Sequence, residues 1–347
     1  MTSLAIGIVR EEKKRADRRI PFTPDQLSSI TKNFPFKVVC QPSKIRCFND
    51  EEFIKKGLVV QENLEDCEVI FGVKEVPVEH LLAGKIYFMF SHTIKKQAYN
   101  QKLLKTILDK KIRLIDYECL TDVKGQRLVA FGYWAGIVGA YNALWTSGKK
   151  YGRFSLKRAN DCFDLAELKI ELAKAILPPI KIVLTGNGRV ASGAAELLKW
   201  AGIRQVDPKA YLNEDFDIAV FTQLDVGQYV THQKGHDFDF GHFVAHPSDY
   251  VSTFAPYAAS SDVLISAAFW DPKSPRLFEK EEVMDDDFKI KIIADITCDI
   301  DGSVPTTIRA STIDSPVYDF STQFLEERRP FSDPANITVM AIDNLPS

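Results

Sequence analysis

The segment Lys181-Ile-Val-Leu-Thr-Gly186-Asn187-Gly188-Arg189-Val190-Ala191-Ser-Gly193 constrains the fold more than any other stretch of the chain. An apolar run suited to a strand ends in G-x-G-x-x-A and passes straight into a helical pattern, Val190–Ala201. Strand, glycine turn and helix in that order make the phosphate-binding corner of a dinucleotide-binding crossover unit. Gly186 allows the tight turn, Gly188 lets the backbone approach a pyrophosphate, and the small Ala191 lets the helix pack on the sheet. The helix N-terminus then offers free N–H groups and the positive end of its dipole to the phosphates. An acid is expected about 20 residues on, to meet the ribose hydroxyls. Asp207 stands 21 residues after Gly186, which points to NAD. Arg204 and Lys209 beside it could meet a 2′-phosphate, so NADP stays open, and Asp before Pro is also an ordinary turn starter.

The rest of the chain alternates in the same way. Leu4–Val9, Lys37–Cys40, Glu68–Val73, Ile86–Phe90 and Ile112–Ile115 read as strands, with Pro24–Lys32, Asp50–Lys56 and Gln97–Asp109 as helices between them. A helix from about Gly132 to Lys149 and another over Asp164–Ile176 lead into a second series. Its strands are expected at Lys181–Thr185, Ile218–Thr222, Val263–Ala267 and Ile290–Asp295. The expectation is an α/β chain of two domains with mainly parallel sheets. Residues 132–310 form the dinucleotide-binding domain, and 1–131 form a second domain. After about Ser311 the signals are few, and residues 311–347 are expected to return to the first domain.

From Leu128 to Gly148 no residue is charged, and the run has the length of a bilayer helix. Yet it carries four glycines, and Gly132, Gly136 and Ala140 form a ridge at i, i+4 and i+8 along which two helices can approach closely. It reads as a buried helix between domains or subunits rather than as a membrane span. Charge and cysteine usage narrow the setting. With 44 Lys+Arg against 47 Asp+Glu the net charge is −3, which gives no electrostatic footprint for nucleic acid. The six cysteines form no CxxC pair and read as reduced thiols of a cytoplasmic protein, with one or two disulfides left open. The N-terminus lacks the pattern of a secretory signal.

Three strand ends carry unusual polar groups: Arg18-Arg19 after the first, Val73-Lys74-Glu75 after the third, and Phe90-Ser-His92 after the fourth. Sites of parallel α/β sheets lie at carboxyl ends of strands. Arginine, lysine, acid and imidazole together suit a carboxylate-bearing substrate with an amine or carbonyl to protonate. The plainer alternatives are solvated lysine and arginine side chains and a core histidine. His232, His236, His242 and His246 show His-x3-His spacings, but Gly235 and Gly241 interrupt any helix and no HExxH motif occurs. They read as a surface loop, and no metal is expected.

Val-Lys74-Glu75-Val-Pro, Phe-Ser-His92, Leu-Ile-Asp-Tyr117-Glu118, Gln-Arg127-Leu-Val-Ala-Phe-Gly-Tyr133-Trp134-Ala-Gly and Ala-Ile-Asp343-Asn-Leu-Pro-Ser resemble, in order along the chain, the L-lysine-forming saccharopine dehydrogenases. They resemble equally the lysine–2-oxoglutarate reductase half of a bifunctional enzyme. Both belong with the alanine dehydrogenase and transhydrogenase superfamily. The resemblance implies two Rossmann-like domains around a cleft that holds NAD, with NADP open, and interconversion of saccharopine with L-lysine and 2-oxoglutarate. It implies Lys74 and His92 as the catalytic pair, with Glu75 and Glu118 tuning them. Arg18, Arg19, Arg127 and Tyr117 are implied on the substrate, and Gly186–Ala191, Asp207 and Asp343 on the cofactor. The large Tyr117, Tyr133 and Trp134 favour a bulky substrate. An alanine-type amino-acid dehydrogenase and a catalytically idle nucleotide-binding module remain as alternatives. Small-molecule substrates are the expected partners, with neither nucleic acid nor membrane, in a monomer or homodimer. Members of the family continue with further helix beyond the Asp-Asn-Leu-Pro at which this chain ends. The expectation is therefore either a longer natural chain or a first domain without its last elements.

Overall fold

The computed structural model describes residues 4–12 and 17–343, and the chain divides after Ala130 into two compact units. The first holds strands β1 (Leu4–Ile8), β2 (Phe36–Cys40), β3 (Val59–Val60), β4 (Val69–Phe71), β5 (Ile86–Met89) and β6 (Arg113–Asp116). Helices α1 (Pro24–Asn33), α2 (Asp50–Lys55) and α3 (Gln101–Asp109) alternate with them. All strands pair in parallel in the order β3-β2-β1-β4-β5-β6. Local chemistry starts the helices where the sequence requires. Thr23 and Gln26 close a reciprocal capping box ahead of α1, with Pro24 in its first turn, and Asn49 and Glu52 do the same for α2. The order in which strands are added reverses between β1 and β4, so the carboxyl ends of those two parallel strands flank the crevice where doubly wound sheets take their ligands.

The second unit begins with α4 (Gly132–Tyr151) and α5 (Leu165–Leu172), followed by β7 (Lys181–Thr185), α6 (Arg189–Trp200), β8 (Arg204–Gln205), α7 (Pro208–Asn213) and β9 (Val220–Leu224). Next come β10 (Val230–His232), α8 (Phe240–Ala245), β11 (Tyr250–Ser252), α9 (Ala255–Ser260), β12 (Val263–Ser266) and β13 (Ile292–Asp295). The last strands are β14 (Val317–Phe320), β15 (Glu327–Arg328) and β16 (Ile337–Met340). Eight of these strands form one sheet in the order β15-β14-β16-β13-β12-β7-β9-β8, while β10 and β11 form a separate antiparallel hairpin. Within the large sheet only β14 runs against the others, antiparallel to both β15 and β16.

Two expectations need correction. The segment after Ser311 does not return to the first unit: β16 pairs with β13, and β14 with β16, so these strands extend the second sheet. Residues 344–347, the Asn-Leu-Pro-Ser of the terminal motif, lie outside the described residues. The glycine-ridged helix, expected between domains or subunits, is α4, and its partner is α6 of the same unit. A Cβ on Gly136 would stand 1.9 Å from Val190 O, and one on Gly193 would stand 2.0 Å from Tyr133 O. The two backbones therefore touch where the glycines face each other, and the uncharged surface of α4 is spent on α6, β12, β13 and β16. Among the described residues no helix is long and apolar enough to cross a membrane. All six cysteines are free thiols.

Candidate active site

The first unit gathers its polar groups at the carboxyl edge of its sheet. Beyond β5, His92 takes the left-handed conformation at φ 54°, and its Nδ1 lies 2.6 Å from Glu75 Oε1, contributed by the turn after β4. Both side chains are largely buried. Asn100 Nδ2 donates to the His92 carbonyl at 3.1 Å, and the Phe90 ring lies roughly parallel to the imidazole. Ser91 Oγ donates to Asp116 at the end of β6 and meets Thr93 Oγ1 at 2.7 Å. The other oxygen of Asp116 accepts the Glu118 N–H at 2.9 Å, which ties the turns after β5 and β6 together. Glu118 is buried. Its Oε1 faces Arg127 Nη1 at 3.4 Å and Lys95 Nζ at 3.8 Å, while its Oε2 has no hydrogen-bond partner among the described residues.

The crevice between β1 and β4 is bridged by a residue the sequence reading passed over. Glu11, in the loop after β1, accepts from Val73 N at 2.7 Å and Lys74 N at 2.9 Å, so one carboxyl group fixes the backbone that presents Lys74. Burial pushes this carboxyl up to about 7 even though those two N–H groups favour its ionised form. Nearby, Arg19 binds Asp17 side-on, through Nε at 2.8 Å and Nη2 at 2.5 Å, and both side chains are nearly buried. Burial alone would raise Asp17, but the Arg19 hydrogen bonds and charge, helped by Lys74, hold it below its ordinary value. Tyr117 is buried against Phe88 and Phe90, so it packs the floor of this region. Its hydroxyl is raised by burial and by the charge of Glu11. Arg18 is exposed, and its carbonyl accepts from Cys47 N. The structure thus brings Lys74, Glu75, His92, Arg19, Tyr117 and Glu118 to one edge, with Arg127 at its rim.

In the second unit, Gly186 holds φ 102° and lies against the end of β12: a Cβ there would meet Ala267 O at 3.0 Å. Gly188 has open space where a Cβ would be. It precedes α6, whose N-terminus has no side-chain cap and no acid in its first turn. N–H groups without a side-chain cap, beside an accessible glycine backbone, fit a dinucleotide pyrophosphate. Asp207 is not beside this turn. β9 inserts between β7 and β8, and Asp207 caps α7 at the end of the outer strand, accepting from Lys209 N and Ala210 N at 3.0 Å. The acid at the end of the neighbouring strand is Asp225, whose Oδ2 accepts from Asn187 Nδ2 at 2.7 Å within the glycine turn itself. Asp343 follows β16 on the same carboxyl edge, near Cys298. Tyr133 donates to Glu196 at 2.6 Å, and Trp134 is exposed.

Residues 7–138 match the alanine dehydrogenase/PNT N-terminal domain. The chain is 30% identical to mitochondrial alpha-aminoadipic semialdehyde synthase of Mus musculus, an alignment covering 99% of this chain and 41% of that relative. It therefore spans about two-fifths of the length of such relatives. It is 25% identical to the L-lysine-forming saccharopine dehydrogenase [NAD(+)] of Emericella nidulans, over 98% of this chain and 85% of the other. An L-alanine dehydrogenase structure shares the fold, with a TM-score of 0.59 at 14% identity over 98% of this chain and 83% of that one. Residues 7–138 thus carry an alanine dehydrogenase/PNT N-terminal domain, and the chain over nearly its whole length is similar to alpha-aminoadipic semialdehyde synthases and to L-lysine-forming saccharopine dehydrogenases.

Proposed function

We propose that the chain is an oxidoreductase that interconverts saccharopine and water with L-lysine and 2-oxoglutarate, using a nicotinamide cofactor. The observation that carries this reading is the buried His92–Glu75 pair beside Lys74, whose backbone is held by Glu11 at the sheet's crevice. A bound nicotinamide would supply the acceptor for hydride from the carbon bearing the secondary amine. Lys74 removes the amine proton, so that the nitrogen lone pair forms the imine as hydride leaves. His92 then takes a proton from water as its oxygen adds to the imine carbon. It returns that proton to nitrogen to complete the carbinolamine, then takes the carbinolamine hydroxyl proton and passes it to the same nitrogen as the C–N bond breaks, giving the ketone and the amine. Glu75 at Nδ1 orients the imidazole and offsets the charge it gains. Arg19, steadied by Asp17, Arg18 and Arg127 are the planar cations for a substrate with three carboxylates. The buried Oε2 of Glu118 supplies an acceptor for a substrate ammonium.

Gly186, Asn187, Gly188, Arg189, Val190 and Ala191 would hold the pyrophosphate, with Asp343 along the same edge of the sheet. Asp225, rather than Asp207, would meet the adenosine ribose, which favours NAD over NADP. The test follows nicotinamide absorbance with NADH or NADPH, offering lysine plus 2-oxoglutarate and, separately, pyruvate plus ammonia. Lysine-dependent oxidation is the expected result. Ammonia-dependent oxidation alone assigns an alanine-type dehydrogenase, and cofactor binding without turnover assigns an idle module. Lys74→Met should lower kcat about 10²- to 10⁴-fold with little change in cofactor affinity. Unchanged turnover removes Lys74 from the chemistry. Asp225→Ser should weaken NADH binding about tenfold or more and narrow any preference over NADPH, whereas Asp207→Ser should leave both affinities unchanged.

A further inference from the structure

Four of the six histidines converge at the β10–β11 hairpin, where the sequence reading expected only a surface loop. His232 ends β10 and pairs across the hairpin with Tyr250, while His242 lies in α8 and His246 closes that helix. Ring centroids of His232 and His236 stand 4.5 Å apart, those of His232 and His242 5.5 Å, and those of His242 and His246 4.9 Å. Tyr250 packs against both His232 and His242 and meets His242 Nδ1 through its hydroxyl at 3.2 Å. Donor atoms of His232, His242 and Asp249 all lie within 4.8 Å of one another.

We propose that His232, His242 and Asp249 form a transition-metal site, suited to Zn²⁺, that fastens α8 to the β10–β11 hairpin. Two imidazoles and a carboxylate are a donor set zinc accepts, with His236 near enough to His232 to supply a fourth ligand or to leave that position to water. Tetrahedral zinc at about 2.1 Å from each donor sets its ligands about 3.4 Å apart, so small rotations of the less buried His242 and Asp249 toward the buried His232 close the site. The Tyr250 hydroxyl can accept the Nδ1 proton of His242, which leaves Nε2 for the metal and fixes the ring. One hydrogen bond must be given up. His232 Nδ1 accepts from Lys234 N at 3.1 Å, and coordination through either nitrogen removes that lone pair, either by direct use or by moving the proton onto Nδ1. Lys234 is exposed, so its N–H turns to water at little cost, while its ammonium opposes the cation modestly.

The experiment titrates chelator-treated full chain with Zn²⁺ against a chromophoric chelator, and with Co²⁺ by visible absorption. One equivalent of Zn²⁺ should bind, with tetrahedral or five-coordinate cobalt bands and a higher Tm. His242→Ala and Asp249→Asn should each lose more than about tenfold in affinity, while His80→Ala in the first unit changes nothing. Should either ligand variant misfold, the Lys234 amide resonance of the unaltered chain supplies a second readout, since it must shift on saturation. Equal affinity in folded variants, a Lys234 resonance that does not move, or no stoichiometric zinc overturns the assignment.

Discussion

Glu11 gives the sharpest test of how the first unit works. Its carboxyl lies inward and is raised from 4.5 to about 7 by burial, so the folded chain keeps a proton that the unfolded chain releases. Stability from this group is complete below the unfolded value and is lost as pH rises through about 7. A difference of about 2.5 pH units corresponds to roughly 3 kcal/mol. Glu11→Gln removes the titration while keeping the size of the side chain. Its amide can accept from one of Val73 N and Lys74 N but opposes the other with its own N–H groups, a cost of about 1–3 kcal/mol that does not vary with pH. The diagnostic quantity is therefore the change in the difference between the two proteins. Measured by urea unfolding at about pH 5 and about pH 8, the variant should gain about 2.5 kcal/mol on the wild type across that interval, because every other titrating group cancels and part of the effect is already spent by pH 5. Parallel pH profiles for the two proteins would refute the reasoning, and Glu11 would then be ionised throughout. The same proton lies beside Lys74, so the variant should also flatten the part of the activity profile near neutral pH.

Two further substitutions probe the scaffold. Gly136→Ala places a methyl on the Val190 carbonyl with no side chain to yield; α4 must move off α6, and a drop of several kcal/mol, about 3 or more, should appear in thermal unfolding. Near-neutral stability would mean the helices are not in backbone contact. Asp17→Ala leaves the Arg19 guanidinium nearly buried without its carboxylate. A loss of about 3–5 kcal/mol is expected, together with a raised KM for the proposed tricarboxylate substrate, and an unchanged KM would separate Arg19 from substrate binding.

Apolar runs bounded by turn residues made the central strands legible, and Lys181–Thr185 is observed with the expected ends. The missed strands have physical reasons. In β14, Val-Tyr-Asp-Phe, the aspartate breaks the apolar pattern, yet Asp319 is fully buried because Thr338 Oγ1 and Ser332 N donate to it from neighbouring chain. β8 is two exposed residues, and the hairpin strands are only three residues each, Val-Thr-His and Tyr-Val-Ser, too short for hydrophobic alternation to announce them. Strand order left no trace in spacing. Counting 21 residues from Gly186 reaches Asp207, but β9 takes the place beside β7 and brings Asp225 to the turn instead. Glu11 and Asp17 flank a dense run of charge that reads as solvated surface. Only the fold shows the two acids turned inward at the edge of the sheet. Lys74, Glu75 and His92 were visible because strand ends are where parallel sheets keep their chemistry.

The seam between α4 and α6 also bears on how this sequence can vary. Where side chains meet, a larger group on one helix can be met by a smaller one opposite, and cores drift by such exchanges. At Gly136 and Gly193 each missing side chain faces main-chain atoms, which no substitution can shrink. A saturation library should therefore return glycine alone at both positions, and pairing changes at the two sites should rescue neither. The helix that follows the glycine turn is thus held in place by what its neighbour lacks.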